Sequence, residues 1–311
     1  METTVIKLLE KITGKLKKTN TDAPFKGAYN IRKDGKSIGR SSSANIIIQS
    51  KKDKDGLDIY IKENTKGESV HIPVLLMQGG YTETVYNDFY IGKNAQVDII
   101  AGCGIHNCAC TETSHDGVHR FFVEEGAKVT YTEKHYGEGE GSGKRIMNPV
   151  TEVELKKNAS LTMNSVQIKG VDSTYRITRG SLSENSTFTV SEKIMTAGEQ
   201  TAQTEFEVNL NGKDSSTHLT SRSIASGNSE QKFISRINGN TKCYAHVECD
   251  AIIMDDAKVA AVPAISANDT EANLIHEAAI GKIAGEQLMK LMTLGLTEKE
   301  AETAIIDGFL K

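Results

Sequence analysis

The chain has 311 residues, 25% of them charged, and a formal net charge of −4. This slightly acidic, evenly mixed charge argues against a nucleic-acid binder, which is expected to carry a basic face. No apolar run approaches the roughly 20 residues that cross a bilayer, and the start of the chain has no signal-peptide core, so we expect a cytoplasmic protein that binds no membrane.

Glycine is abundant (27 residues), proline is scarce (4) and tryptophan is absent. This composition favours many short strands and tight turns over long helices. An odd number of cysteines in a cytosolic chain argues against a disulfide framework and leaves metal binding, sulfur chemistry or simple burial. The five are Cys103, Cys108, Cys110, Cys243 and Cys249.

The first elements along the chain are a helix and a weakly patterned segment. Residues 1 to about 20 are amphipathic, which predicts a surface helix rather than a membrane-lying one. Residues 21–70 are polar, with a lysine- and aspartate-rich stretch at 51–55. We expect turns and short edge strands there.

From about Val70 to Ile265 the sequence alternates in short β-branched runs, as in VHIPVLLM (70–77), which predicts strands. A small turn motif precedes several of these runs, and its first three copies are 32 and 32 residues apart, with the fourth 27 residues further on. The copies are Lys93-Asn94-Ala95, Glu125-Gly126-Ala127, Lys157-Asn158-Ala159, Glu184-Asn185-Ser186 and Asp255-Asp256-Ala257.

The turn motif has a physical interpretation. Asn, Asp and Gly tolerate the left-handed conformation that turns a corner between strands, and the next small residue permits close stacking of successive coils. A repeat near 30 residues therefore predicts a mainly β protein built as a parallel β-helix of several short strands per coil. A sandwich with similar turns is the alternative, but its turns usually recur every 8–12 residues.

The pattern becomes helical from Asp269. Apolar spacing from Leu274 to Met292 predicts a helix that ends at Gly295, with Gly281 and Gly285 either splitting it or permitting close packing. Thr297 to Glu300 form a capping box for a second helix that stops at Gly308. The sequence thus divides into residues 1–69, an N-terminal helical and irregular segment, 70–268, the β-helix core, and 269–311, a C-terminal helical segment.

The region from Ser221 to Phe309 closely resembles the core of the SufB/SufD family of iron–sulfur cluster assembly scaffolds. The order and spacing of six short pieces match that family, and upstream pieces such as AGCGIHN resemble short archaeal and anaerobe SufB-like proteins. The six are Cys249-Asp250, Pro263, His276-Glu277-Ala278, Gly285-Glu286-Gln287-Leu288, Gly295-Leu296 and Gly308-Phe309. The long N-terminal region of larger SufB proteins is mostly missing here.

The resemblance implies a right-handed parallel β-helix flanked by helical segments, with two subunits paired through the end of the β-helix. It implies that the C-terminal helices dock a SufC-like ABC ATPase, and that this short chain pairs with itself as a homodimer. The chain lacks a G-x-x-x-x-G-K-[ST] motif, so we expect no ATPase activity of its own and ATP hydrolysis in the partner. A sulfur donor and apo-protein acceptors would be further partners.

Cys249 matches the family's thiolate, and His276 and Glu277 match its interface histidine and carboxylate. The resemblance therefore implies that these three hold a transient cluster, of the [4Fe–4S] type, across the dimer interface. Thiolates with imidazole or carboxylate are suitable ligands for iron–sulfur clusters. The alternative for each is structural: an inward-facing cysteine, or a histidine and glutamate at the start of a helix.

Secondary candidates are Cys103, His119 and Cys243. Cys103, Cys108 and Cys110 lie near His106, His115 and His119, a segment that would suit zinc, iron or a persulfide-accepting thiol but contains no clean C-x-x-C pair. Cys243 lies six residues before Cys249, about 20 Å along a strand, which is too far for one small cluster unless a turn intervenes. Lys169, Arg176 and Arg222 are candidates for a sulfide route through the β-helix, against the commoner role of exposed charges.

Three other functions compete with the cluster scaffold. A cluster-free SufD-like structural partner of the ATPase would have no use for Cys249 as a ligand. A zinc-binding β-helix protein would use the segment 103–119. A carbohydrate-active β-helix enzyme fits poorly because such sites need paired carboxylates and aromatic platforms, and the chain has few aromatic residues.

Overall fold

The computed structural model describes residues 3–14 and 25–310. Its first element is helix α1 (Thr3–Thr13), and its last are α2 (Gly285–Thr293) and α3 (Glu298–Phe309). Between them lie β1 (Ala28–Lys33), β2 (Lys36–Ser41), β3 (Ile46–Ser50), β4 (Gly56–Ile61), β5 (Glu68–Leu76), β6 (Thr82–Ile91), β7 (Gln96–His106), β8 (Thr113–Val123), β9 (Lys128–Glu138), β10 (Arg145–Met147), β11 (Val150–Leu155), β12 (Ser160–Lys169), β13 (Ser173–Leu182), β14 (Thr187–Thr196), β15 (Thr201–Leu210), β16 (Ser215–Ala225), β17 (Glu230–Gly239), β18 (Cys243–Ile253), β19 (Lys258–Ala267) and β20 (Ala272–Gly281).

The strands form a parallel β-helix of about eight coils, which confirms the predicted fold class. From β4 onward successive strands alternate between two facing sheets, except that β10 and β11 both lie in sheet two. Sheet one has the order β2-β1-β5-β7-β9-β12-β14-β16-β18-β20, and sheet two the order β19-β17-β15-β13-β10-β8-β6-β4-β3, with β11 between β8 and β13. A coil from β12 onward therefore consists of two strands of about ten residues, longer and fewer than the several short strands expected from the repeat length.

The core lies between the two sheets. Alternate residues of each strand face inward, and parallel pairing places like positions above one another, so that Val97, Val129, Leu161 and Phe188 stack from coil to coil in sheet one. In sheet two Phe89 stacks on Phe121 with ring centroids 4.6 Å apart. All six side chains are buried, so each coil buries the apolar face of the next.

The turn motif marks one corner of the β-helix. Asn94, Gly126, Asn158 and Asn185 all have positive φ, and the backbone N–H of each of these residues donates to a carbonyl of the next coil. The fifth copy is different, because the positive φ falls on Asp255 rather than on the residue before Ala257.

Asp255 belongs to the second corner, where Gly198 and Gly227 also have positive φ. Asn228 N–H donates to the Gly198 carbonyl and Asp256 N–H to the Gly227 carbonyl. The second corners therefore stack on one another, separately from the first corners. The repeat seen in the sequence therefore combined two different corners.

Helix α1 covers the outside of sheet one. Leu8 and Ile12 are fully buried against Gly104 and Gly102 of β7, where a β-carbon would lie 2.7 Å from Leu8 Cγ or 2.9 Å from Ile12 Cβ. This confirms an amphipathic surface helix over Thr3–Thr13. The predicted continuation to residue 20 lies outside the described residues from position 15 onward.

One sequence expectation needs correction. Residues 272–281 form strand β20, paired in parallel with β18, instead of the start of a helix. The helical spacing of this segment also fits alternation, and pairing with β18 decides the outcome. Short strands are also present in residues 21–70, as expected, and β1 and β4 pair in parallel with β5 and β6 of the β-helix.

Both predicted C-terminal helices are present, and α3 ends at Phe309, one residue after the predicted stop at Gly308. Helix α2 begins at Gly285, and the capping box at Thr297 and Glu300 is present at the start of α3. Among the described residues no helix is long and apolar enough to span a membrane. The division into 1–69, 70–268 and 269–311 stays a prediction.

Candidate functional site

Among the described residues, no further strand pairs with the last coil of the β-helix. Strands β19 and β20 are the last strands of sheet two and sheet one, so each presents a ten-residue outer edge to solvent. Their inner faces continue the core with apolar residues, yet Pro263, Ile265 and Ile280 are exposed. An exposed apolar end with free strand edges is a surface that pairs readily with another chain.

Cys249 lies one strand below this end. Alternation on β18 points Cys243, Ala245, Val247, Cys249 and Ala251 inward, and Cys249 is only 2% exposed. Burial, and then the charges of Glu192 and Asp250, raise the pKa of the thiol to about 12. The side chain is therefore a neutral thiol at physiological pH.

His276 shares the inner face with Cys249. On β20, His276 is paired with Val247 and Ala278 with Cys249, so the imidazole is a diagonal neighbour of the thiol on the adjacent strand. Both ring nitrogens of His276 are buried, with no hydrogen-bond partner among the described residues, and burial lowers its pKa. A neutral imidazole with two free nitrogens thus lines the open end.

Glu277 faces the other way. Its side chain is 66% exposed, and Oε1 lies 3.6 Å from His246 Nε2 on the outer face of sheet one. Within one chain, the structure brings Cys249 and His276 to one face and leaves Glu277 on the opposite face. Among the described residues no three His, Cys, Asp or Glu side chains are arranged to hold one metal ion.

Cys243 also points inward on β18 and is buried, and burial raises the pKa of its thiol. Because both cysteines lie on one uninterrupted strand, six residues separate them by about 20 Å. The structure therefore does not bring Cys243 to Cys249.

Cys103 and His119 lie deep in the β-helix, several coils from the open end. Burial raises the pKa of the Cys103 thiol well above its usual range. Burial also lowers the pKa of His119 to about 4, and its Nδ1 lies 2.6 Å from the Tyr131 hydroxyl. Both line a narrow internal cavity together with His115, Glu133 and His135.

A buried ionic network follows this cavity toward the open end. Arg176 is 1% exposed, donates from Nη1 to Glu133 Oε2 at 2.5 Å, and has Nε 3.5 Å from Glu192 Oε1. Ser221 Oγ donates to Glu192 Oε2 at 2.9 Å, and Ser221 is paired with Cys249 across β16 and β18. Polar side chains thus connect the interior to the neighbourhood of Cys249.

The pKa of each carboxyl in this network depends on the charged groups near it. Burial raises the pKa of both carboxyls, but at Glu133 the Arg176 guanidinium, together with His135 and His119, more than offsets it and holds the pKa well below its usual range. Glu192 is farther from the guanidinium, and the pKa of its carboxyl stays raised. Arg176 itself keeps a raised pKa beside the two acids.

Sequence reasoning named Arg176 but missed its two acids. Both have a readable signal: Glu133 follows Val129 and Tyr131 at alternate positions, and Glu192 follows Phe188 and Val190 in the same way. Of the other route candidates, Lys169 is exposed, and Arg222 points outward, where Nη1 donates to the Phe309 carbonyl at 3.3 Å.

Cys108 and Cys110 are exposed in the loop 107–112 between β7 and β8. Cys108 Sγ lies 3.2 Å from His106 Nε2. This loop is on the outside of the β-helix, so Cys108 and Cys110 are apart from Cys103 and do not form one zinc site with it.

Comparison with known proteins gives one family. The model of the SUF system FeS cluster assembly SufBD core domain matches residues 83–309. An iron–sulfur cluster assembly SufBD family protein of Pyrococcus horikoshii is 30% identical over 284 residues, which cover 88% of this chain and 84% of the relative. A SufBD family protein of Methanocaldococcus jannaschii is 24% identical over 92% of this chain and 90% of its own length.

A third relative is longer. The SufBD family protein of Methanothermobacter thermautotrophicus is 28% identical over 232 residues, and the match covers 73% of this chain but 55% of that protein. Residues 83–309 include the whole series of strands from β7 to β20 and both C-terminal helices.

Proposed function

Because the chain belongs to the SufBD family of iron–sulfur cluster assembly proteins, we propose that it is a scaffold on which a nascent cluster forms at a homodimer interface. The cluster is the cargo, built from iron and sulfide and then passed to apo-protein acceptors. The scaffold acts in the cytoplasm, without nucleic acid or membrane, and receives sulfur from a donor protein.

The observation that carries the proposal is the open end of the β-helix. Two free strand edges and an exposed apolar inner face favour pairing with a second copy of the same end. Such pairing would enclose His276, whose ring nitrogens have no partner among the described residues, beside the Cys249 thiol. The interface would then hold donors from both chains, two thiols and two imidazoles.

The ligand chemistry suits temporary binding. Iron would have to displace the proton of a thiol whose pKa is about 12, which weakens the cysteine as a ligand and favours release. Glu277 faces outward in its own chain, so in this proposal it reaches the cluster only after β20 moves or from the partner's side. A transient [4Fe–4S] cluster with mixed ligands is consistent with a scaffold that gives up its product.

Helices α2 and α3 supply a docking surface for a SufC-like ABC ATPase. Met289, Met292 and Leu294 are exposed on and after α2, and flexible methionines suit a protein-binding surface. Only residues 282–284 separate β20 from α2. If ATP hydrolysis by the partner moved helices α2 and α3, the movement would therefore act directly on the strand that carries His276 and Glu277.

Anaerobic reconstitution with iron and inorganic sulfide tests the proposal. Wild type is expected to develop the absorbance and Mössbauer signature of a cluster, Cys249→Ser to lose most of it, and Glu277→Ala to lose part. Cys243→Ser is the matched control, because it removes a buried thiol from the same face of the same strand. Equal cluster content in Cys249→Ser and wild type would contradict the scaffold function.

A cluster-free SufD-like partner of the ATPase is the second candidate. It is favoured by the deep burial of Cys249 and by the opposite directions of His276 and Glu277 within the chain. In that case wild type would bind the ATPase through α2 and α3 but would acquire no cluster on reconstitution. The same experiment therefore separates the two functions.

A further inference from the structure

The loop 107–112 holds an exposed thiol beside a histidine and a carboxylate. Cys108 Sγ lies 3.2 Å from His106 Nε2, and His106 Nδ1 lies 3.2 Å from Glu138 Oε1. With Glu138 accepting from the Nδ1–H, Nε2 keeps its lone pair and accepts the Cys108 S–H. A nucleophile, a base and a group that orients the base thus form one hydrogen-bonded chain, the arrangement that activates catalytic thiols.

Neighbouring groups fix the carboxylate. Lys11 of α1 donates from Nζ to Glu138 Oε2 at 2.5 Å and to the Tyr136 hydroxyl at 3.0 Å. Partial burial raises the pKa of Glu138, but Lys11 and then His106 more than offset this, and the pKa lies below its ordinary value. Glu138 is therefore a carboxylate held in place from the side opposite His106.

The loop itself is held firmly by Asn107, whose side chain is completely buried. Asn107 Nδ2 donates to the carbonyls of Thr111 and Gly143, and its Oδ1 accepts from Ala109 N–H at 2.9 Å. These bonds close the loop on itself and fix it to the next coil. The position of Cys108 is therefore set by the fold.

The glycines of the sequence GEGEGSG (137–143) permit this packing. A β-carbon on Gly139, Gly141 or Gly143 would lie 2.0–2.2 Å from a backbone oxygen of the 107–111 segment. Gly141 N–H and Gly143 N–H also donate to the carbonyls of Asn107 and Ala109. Such close backbone contact requires glycine. The glycine motif thus fixes the position of this loop. A surface cysteine without a function would not need such precise positioning.

We propose that Cys108 accepts sulfane sulfur from a persulfide, with His106 as its base and Glu138 as the residue that positions His106. Cys108 Sγ attacks the terminal sulfur of the donor persulfide, R–S–SH. A new S–S bond forms on Cys108 and the donor's S–S bond breaks. The Cys108 proton passes to His106 Nε2 and then to the departing thiolate, so the products are Cys108–S–SH and R–SH.

This exchange needs no external oxidant or reductant, because one S–S bond replaces another. It deepens the proposed function, on which the choice of a persulfide as substrate rests, since cluster assembly consumes sulfur. It also assigns the uptake of sulfur to an exposed thiol, whereas Cys103 and Cys249 are buried and have thiol pKa values raised by burial. Exposure and an adjacent base are what a sulfur-accepting thiol requires.

The test is sulfur uptake by the full-length chain, followed by mass spectrometry of the intact protein and of its peptides. With glutathione persulfide as the probe, wild type is expected to gain one sulfur atom on Cys108 first. Cys108→Ser is expected to lose this rapid uptake. Cys110→Ser is the matched control, because it removes an exposed thiol from the same loop and should react like wild type. Uptake on Cys110 or Cys103 as fast as on Cys108 would overturn the proposal.

The roles of the other two residues have separate readouts. His106→Gln is expected to slow uptake roughly 100-fold, and added imidazole should restore part of the rate. Glu138→Asp should retain more activity than Glu138→Gln, because it keeps the charge that orients His106. A rate in His106→Gln equal to wild type, or a loss that imidazole does not restore, would contradict the assigned base.

Two sources of persulfide are distinguished by running the experiment with glutathione persulfide and with a cysteine desulfurase charged by L-cysteine. Faster transfer to Cys108 from one of them identifies the source, and no transfer from either overturns the proposal. Reconstitution of Cys108→Ser with inorganic sulfide, which bypasses uptake, should give the cluster content of wild type. Failure of wild type in that last measurement would count against the scaffold function and not against sulfur uptake.

Discussion

Individual side chains inside the β-helix carry an unusual amount of charge for a core. Arg176, Glu133 and Glu192 are all buried, and their mutual pairing keeps each of them from being an isolated ion. The sequence named Arg176 only as a candidate for a route through the β-helix, and it could not show that one arginine on β13 reaches acids on two strands of the other sheet. That arrangement depends on how the sheets face each other.

Removing the cation should be costly. Arg176→Leu would leave Glu133 and Glu192 buried without their partner, and we expect the free energy of unfolding to fall by about 3–5 kcal/mol. Urea denaturation followed by circular dichroism measures this. Arg179→Leu is the control on the same strand, where an exposed arginine lies 3.6 Å from Glu152, and it should cost less than about 1 kcal/mol. Equal losses in both variants would show that the buried network does not stabilise the fold.

The buried imidazole of His119 makes stability depend on pH. Burial lowers its pKa from 6.5 to about 4, so between these values the unfolded chain binds a proton that the folded chain does not. The free energy of unfolding should therefore decrease as pH falls from 6.5 to 4. The slope should be about 1.4 kcal/mol per pH unit steeper in wild type than in His119→Gln. Parallel curves for the two proteins would refute this.

For the secondary-structure elements, features set by neighbouring residues were predicted better than features set by pairing between distant strands. The corner residues were recognised because Asn and Gly in the left-handed region leave a sequence signature. Strand β20 was taken for a helix because LIHEAAIG satisfies both periodicities, and only pairing with β18 settles the matter. The same error concealed that His276 and Glu277, as neighbours on a strand, must face opposite sides.

The corner at Asn185 offers a direct test of the turn interpretation. Its φ is 53°, which a β-branched residue adopts only at a steric cost of about 1–2 kcal/mol. Asn185→Val should lower the free energy of unfolding by that amount in urea, whereas Asn185→Gly should remain within about 1 kcal/mol of wild type. If valine is tolerated as well as glycine, the left-handed corner is not a constraint on this position.

For the whole molecule, the repeat length in the sequence predicted the β-helix, but it did not predict that the last coil would be left exposed. Nothing in the sequence of β19 distinguishes a strand that is covered from one that is the last in its sheet. The family resemblance supplied the expectation of a dimer, and the exposed inner face now supplies a physical reason for it. The candidate ligands were chosen from the sequence, but their relative directions required the fold.

Dimerisation through the open end has a specific prediction. Ile265 is 43% exposed and is paired with the buried Ile237 on the inner face, so Ile265→Asp should place a charge in the interface. Analytical ultracentrifugation is expected to show a dimer for wild type and a monomer for Ile265→Asp. Ile168→Asp, at an equally exposed isoleucine on β12, should remain dimeric. A monomeric wild type would remove the basis for a shared cluster site.

The regular stacking of coils also sets fixed distances along the axis of the β-helix. In sheet one, β7 precedes the loop that carries Cys108, and β18 carries Cys249 five strands further on. With about 4.8 Å between neighbouring strands, the two lie roughly 24 Å apart along the axis. Adding or deleting one complete coil would change this separation by a single step and leave both ends intact. The proposed site of sulfur uptake and the proposed iron site are therefore separated by a fixed number of coils, a distance that can be lengthened or shortened one coil at a time.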